Sequence, residues 1–165
     1  MVTVSLLEER VLFSPNIPDA VNQLLQAAVA ASHADPVGAE TLFLQAQALD
    51  THCLQGYFAL YKFYFHYKRF ADAENVVLAG LAEAAQQGGF PNDHQQLAAT
   101  PKAWDLYASE ITLFYLYTLK ALAFIKLRQG NEIDAHQVLA NLKTVDPKDL
   151  SGASVIMDLA AGVAA

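Results

Sequence analysis

The chain has 165 residues, 54% hydrophobic and 16% charged, which excludes intrinsic disorder and fits one domain with a sizeable core. A formal charge of −7 argues against general nucleic-acid binding, and the single cysteine, Cys53, excludes an intramolecular disulfide and suggests a reducing compartment. Abundant alanine with few Gly, Pro and β-branched residues favours helix over strand.

The opening segment MVTVSLLEERVLFSPN leaves two readings: a helical turn through LLEERVL capped by Ser5, or an extended MVTVS. Its two glutamates and an arginine stand where a secretory leader needs an apolar run. Nowhere does an uncharged apolar stretch reach the roughly 18 residues that a membrane span needs. A soluble cytoplasmic protein with no membrane contact is the expectation.

Pro18 and Asp19 start the first clear helix, in which Val21, Leu24, Leu25 and Ala28 recur at helical spacing. Pro36 opens a second, PVGAETLFLQAQALD. A third spans about 54–68 and a fourth about 70–87, where Gly88 and Gly89 stop it and Pro91 prevents continuation. Residues 88–101 read as a loop insertion, with room for a turn of helix. Thr100-Pro101 is a cap and first-turn proline for a long helix, KAWDLYASEITLFYLYTLKALAFIKLRQ, ending at Gly130. NEIDAHQVLANLKTV follows, stopped by Asp146-Pro147, and a last amphipathic segment over 149–163 carries Val155, Ile156, Leu159 and Val163. The pattern predicts seven or eight helices joined by short turns, hence antiparallel helix pairs.

The segments also repeat. AETLFLQAQALD begins at Ala39 and AENVVLAGLAEA at Ala73, a spacing of 34, which matches Phe43 with Val77, Leu44 with Leu78 and Ala46 with Gly80. A third copy, AHQVLANLKTVDP, begins at Ala135, with the 88–101 insertion and a lengthened helix in between. In this period and motif order the chain resembles the tetratricopeptide repeat family, whose unit is a 34-residue helix-turn-helix. Tyr57, Leu60, Tyr64, Phe70 and Ala73 stand at the motif positions of the second repeat. Ala39, Phe43, Ala46 and Asp50 stand at those of the first, and Leu122, Ala123, Gly130, Ala135, Leu139 and Pro147 at those of the third. The resemblance departs at Tyr61, where the family has a small residue, and at Gln23 and Gln26, where it has apolar ones. It implies an all-α, single-domain solenoid: repeats over about 18–51, 54–87 and 102–147, and a capping helix over 149–163.

No motif for chemistry accompanies the repeats. The glycine pair reads as a helix stop, SGAS at 151–154 lacks the order of a nucleophile elbow, and the five histidines never stand four apart. Acidic pairs at 72/74 and 132/134 lie at helix starts, where they favour the helix dipole. No catalytic residue, metal ligand or cofactor is expected.

The resemblance implies that first helices line a concave groove that holds a partner. That groove face would carry Gln55, Phe58, Lys62, Phe65 and His66, with Arg69 at its edge, and on the long helix Tyr117, Lys120, Phe124 and Arg128. Aromatic residues interleaved with positive charge suit a protein segment with hydrophobic anchors and acidic groups, such as an amphipathic helix. The bland alternative is that neighbouring helices or the 88–101 loop cover these rings. The carboxylate clamp of some chaperone-binding modules lacks its asparagine here, since Ala28 and Lys62 occupy the equivalent places. The expected function is a scaffold, adaptor or small dedicated chaperone or assembly factor. Two others stay open: a structural protein dimerising through 149–165, and a small-molecule-binding protein or enzyme with a pocket near His94 and Trp104.

Overall fold

A computed structural model describes residues 16–162 of the chain, so the two readings of the opening segment and the place of Val163 fall outside it. Among the described residues the regular structure is helical. Helix α1 covers Asp19–Ala31, α2 Pro36–Leu49, α3 Leu54–His66 and α4 Phe70–Gly88; α5 covers His94–Ala99, α6 Glu110–Arg128, α7 Glu132–Val145 and α8 Ala153–Gly162.

Local chemistry sets these bounds. Asp35 caps α2 by accepting from the backbone N–H of Gly38 at 3.0 Å, with Pro36 at the first helical position. Asp93 caps the short α5 inside the insertion, where its carboxylate accepts from the N–H groups of Gln95 and Gln96. The long helix starts later than Thr100-Pro101 suggests. That pair opens only a 3₁₀ turn, Pro101–Ala103, which the Thr100 side chain does not cap, and Trp104 is extended. Asp105 then accepts from the N–H of Tyr107, and Ser109 and Thr112 form a reciprocal capping box. The box satisfies the N–H groups of Thr112 and Ser109, and the helix starts between them at Glu110. Likewise 149–152 is a turn, and the last helix begins only at Ala153.

Helices α1 and α2, α3 and α4, and α6 and α7 pack as neighbouring pairs, and α4 packs as broadly on α6. Helices α1, α3, α6 and α8 also touch in that order, so the first helices of the pairs form one row with α8 at its end. Between the pairs runs one continuous core, from Val21 and Leu25 through Leu60, Val77, Phe114 and Leu119 to Leu142 and Ile156. The insertion is held by this core. Phe90 packs edge-on against Tyr115, whose hydroxyl donates to Asn92 at 3.1 Å. Burial of that phenol pushes its pKa well above the usual value, so it remains a donor.

The environments repeat with the sequence. Ala39 and Ala73 are wholly buried, as are Phe43 and Val77, while Leu44 and Leu78 are both exposed. Ala135, Leu139 and Leu142 continue the buried positions in α7. Gly80, level with Ala46, sits where α3, α4 and α6 converge: a Cβ there would stand 3.2 Å from the Phe114 ring and 3.3 Å from Tyr57 Cβ. A side chain at that point would hold the helices apart.

Helices α3, α4 and α6 end alike, with a left-handed residue and a backbone bond from the next N–H back to the last turn. Gly89 and Gly130 take that conformation after α4 and α6, but Lys68 takes it after α3, at φ 57°. A Cβ in this region costs about 1 kcal/mol, partly offset by glycine's larger unfolded-state entropy. Lys68→Gly is therefore expected to raise the melting temperature by about 1–2 °C in a thermal scan. A lower melting temperature would show that Lys68 contributes something its backbone strain conceals.

A polar staple ties the first pair to the second. The Arg69 guanidinium makes two parallel bonds to Glu40, each 2.9 Å, and a third to Asp72, while lying 4.7 Å over the Tyr64 ring. Tyr64 donates its hydroxyl to the same Glu40 carboxylate at 2.7 Å. Arg69 therefore serves this staple. Its guanidinium, and then the Tyr64 hydroxyl, hold the Glu40 carboxyl below its usual 4.5. A carboxylate so lowered stabilises the fold above the unfolded value and ceases to as pH falls through the folded one. Glu40→Gln is expected to cost about 1 kcal/mol at pH 7, the partial exposure of Arg69 limiting the loss. In melts taken at falling pH the gap from the parent chain narrows from pH 4.5 downward; a constant gap would rule the staple out as its source.

Candidate aromatic pocket between the first helices

Helix α3 places Phe58, Tyr61, Lys62 and Phe65 three and four residues apart, so they share one face. On α6, Tyr117, Lys120, Ala121 and Phe124 do the same. The two faces meet across a small pocket of about 30 Å³ with an open mouth, which Ile156 of α8 also lines.

The rings form a chain of edge-on contacts. Phe58 meets Tyr61 at 5.3 Å between centroids, Tyr61 meets Phe65 at 5.5 Å, and Phe65 meets Phe124 at 5.7 Å. Phe70, at the start of α4, closes the back of Phe124 at 6.4 Å. Tyr61 also approaches the Thr118 hydroxyl at 3.4 Å. Both ammonium groups of the pocket lie over aromatic faces, Lys62 over Phe58 at 4.8 Å and Lys120 over Tyr117 at 4.6 Å. Lys62 is half-buried, whereas Lys120 is only 5% exposed. The pocket thus has apolar walls and two fixed positive charges in a chain that is negative overall.

Of the residues assigned to a groove from sequence, Phe58, Lys62, Phe65, Tyr117, Lys120 and Phe124 come together here. Gln55 precedes the stripe on α3 by one turn and is half-buried. His66 turns away toward α1, its ring 5.1 Å from that of His33 and 4.8 Å from that of Tyr67. Arg128 lies over Phe70 at 5.4 Å, one turn beyond the pocket. The other two pocket residues of note were not expected. Tyr61, which stands where the resemblance expects a small residue, lines the pocket; its spacing of three from Phe58 and four from Phe65 carried that information. Ile156 arrives from about a hundred residues away, and no local pattern announces it. The 88–101 insertion contributes no wall of this pocket, so α8 is its neighbour instead.

The place near His94 and Trp104 is built for holding the insertion. His94 accepts from the Asn141 amide at 2.8 Å through Nδ1, and burial lowers its pKa, so the ring is neutral. Trp104 is 36% exposed on an extended residue between the 3₁₀ turn and α6. Among the described residues no group of three or more His, Cys, Asp or Glu side chains is gathered as a metal would require.

Comparisons with protein-family models, curated proteins and solved structures found no match.

Proposed function

We propose that the chain is a non-catalytic protein-interaction module, built of tetratricopeptide-like helix pairs, that takes a partner segment in the pocket between α3 and α6. The observation that carries this reading is the pocket itself. Two successive first helices turn matching i, i+3, i+4, i+7 stripes of aromatic and basic residues toward one cavity. The 34-residue recurrence of buried Ala39/Ala73, Phe43/Val77 and Ala46/Gly80 supports the repeat architecture, as does the single row of first helices.

Chemistry defines the partner. A pocket of about 30 Å³ takes no more than the tip of one hydrophobic side chain at its mouth, and the lysines favour a carboxylate beside it. The occupant is thus a protein segment, most simply an amphipathic helix, with a hydrophobic anchor and acidic flanks. Base stacking requires rings that present open faces. Here Phe58, Tyr61 and Phe124 are each under a tenth exposed and pack on one another, which disfavours nucleic acid.

Lys62 provides the more accessible test, because it is half-buried where Lys120 is nearly covered. Peptides of twelve to fifteen residues with an aliphatic anchor and two acidic residues, and charge-reversed controls, would be titrated by fluorescence anisotropy. Lys62→Glu is expected to weaken the best acidic peptide about tenfold without changing the melting temperature by more than about 2 °C. Equal affinity of the parent and Lys62→Glu for every peptide would remove the pocket from consideration.

A further inference from the structure

Helix α8 is a wall of the pocket and also its most lightly held neighbour. Only Ala153 and Ile156 of its ten residues are buried, against twelve of nineteen in α6. The chain leading into it is fixed as far as Ser151, whose N–H and hydroxyl both donate to the buried Asp146 carboxylate, at 2.9 and 2.6 Å. Gly152 comes next, at φ 74°, and it has the backbone freedom of a hinge where the anchored turn ends.

Past that point α8 is retained by Ile156 in the pocket, by Ala153, by the half-buried Met157, Leu159 and Ala160 against the core, and by a latch of Ser154 on Asp149. The Asp149 carboxylate accepts from the Ser154 N–H at 3.0 Å and from its hydroxyl. A Cβ on Gly152 would stand 3.8 Å from the Lys120 ammonium, so this turn passes directly beside the pocket's buried charge. The Ser154 hydroxyl first, and the Lys120 charge more weakly, hold the Asp149 carboxyl below its usual value. The segment therefore brings a carboxylate to Lys120 and an aliphatic anchor, seven residues later, into the aromatic cavity.

We propose that α8 is an intramolecular competitor for the pocket, and that the partner is an acidic segment copying Asp149-to-Ile156, a turn leading into an amphipathic helix, which displaces α8 by a swing at Gly152. The inference rests on the reading of the pocket as a partner site. It adds the order of the partner's groups, a carboxylate in the turn before the helix and an aliphatic anchor seven residues on. It also makes the affinity for any partner depend on how firmly α8 is latched.

The test uses the full chain, with Ile156→Glu removing the anchor and Ser154→Ala releasing the latch without touching the cavity. The probe is a labelled peptide of residues 147–162, with a control peptide bearing Ile156→Glu. In the parent chain, amides of α8 are expected to exchange with solvent at least about 100-fold faster than those of α6, through local opening. The Ile156→Glu chain is expected to bind the probe at least about tenfold more tightly than the parent, Ser154→Ala to a lesser degree, and none to bind the control. If Ile156→Glu does not fold, the Ser154→Ala chain decides. Equal affinity in all chains, no binding to any, or α8 amides that exchange only with those of α6 would each overturn the proposal. Such a failure is separable from failure of the pocket, which the Lys62-dependence of designed peptides judges by itself.

Discussion

Replacing Asp146 by alanine is expected to lower the unfolding free energy by about 3 kcal/mol, read from the urea midpoint at unchanged slope. The side chain is 4% exposed and accepts four hydrogen bonds: from the Tyr107 hydroxyl at 2.6 Å, the N–H groups of Leu150 and Ser151 at 2.9 Å each, and the Ser151 hydroxyl at 2.6 Å. Burial and the bond to Asp146 push the Tyr107 pKa up to about 12, so this phenol donates throughout the neutral range. Its oxygen also accepts from the N–H of Lys148 at 2.9 Å, and the segment before α6 is thereby tied to the turn before α8. Alanine would leave the Ser151 donors buried without an acceptor, the costliest part of the change. Asp146→Asn keeps one carbonyl acceptor and should recover about half of the loss. A loss below about 1 kcal/mol for alanine would mean that water replaces the carboxylate freely.

Phe124→Ala is expected to cost about 4 kcal/mol and to abolish binding of acidic amphipathic peptides. The ring is 6% exposed and bridges Phe65 of α3 and Phe70 of α4 from its place on α6. Removing it deletes the far wall of the pocket and a contact joining three helices, so stability and binding fall together. Phe124→Leu separates the two effects. It keeps most of the volume, for a loss of about 1.5 kcal/mol, but lacks the flat face. Retained binding in Phe124→Leu would show that cavity shape suffices; a loss under about 1 kcal/mol in Phe124→Ala would show that the ring is not part of the core.

The pocket was half legible. Phe58, Lys62 and Phe65 declare themselves because a helix superimposes residues three, four and seven apart, whatever surrounds it. The same geometry brings Tyr117, Lys120 and Phe124 together. What the spacing does not report is exposure. Phe58, Lys120 and Phe124 looked like a surface open to a partner, yet each is nearly covered, so the reading that neighbours cover the rings holds for them. Lys120 is the clearest case: a lysine is seldom buried, and the Tyr117 ring beneath it and the Gly152 turn beside it become neighbours through the tertiary fold. Arg69 misled for another reason. Its partner Glu40 lies 29 residues earlier, and no local rule joins them.

By itself the sequence determined the helical elements, their pairing and the 34-residue recurrence of small and apolar positions, because capping, proline placement and hydrophobic period act within a few residues. It also determined which side chains share a helix face. Tertiary structure alone decided that Pro101 opens only a short turn, that Tyr61 turns inward, that Arg69 staples two helix pairs and that Ile156 closes the aromatic pocket. Each of these depends on where a distant helix comes to rest, and that is set by burial across the whole core, which a local pattern does not encode.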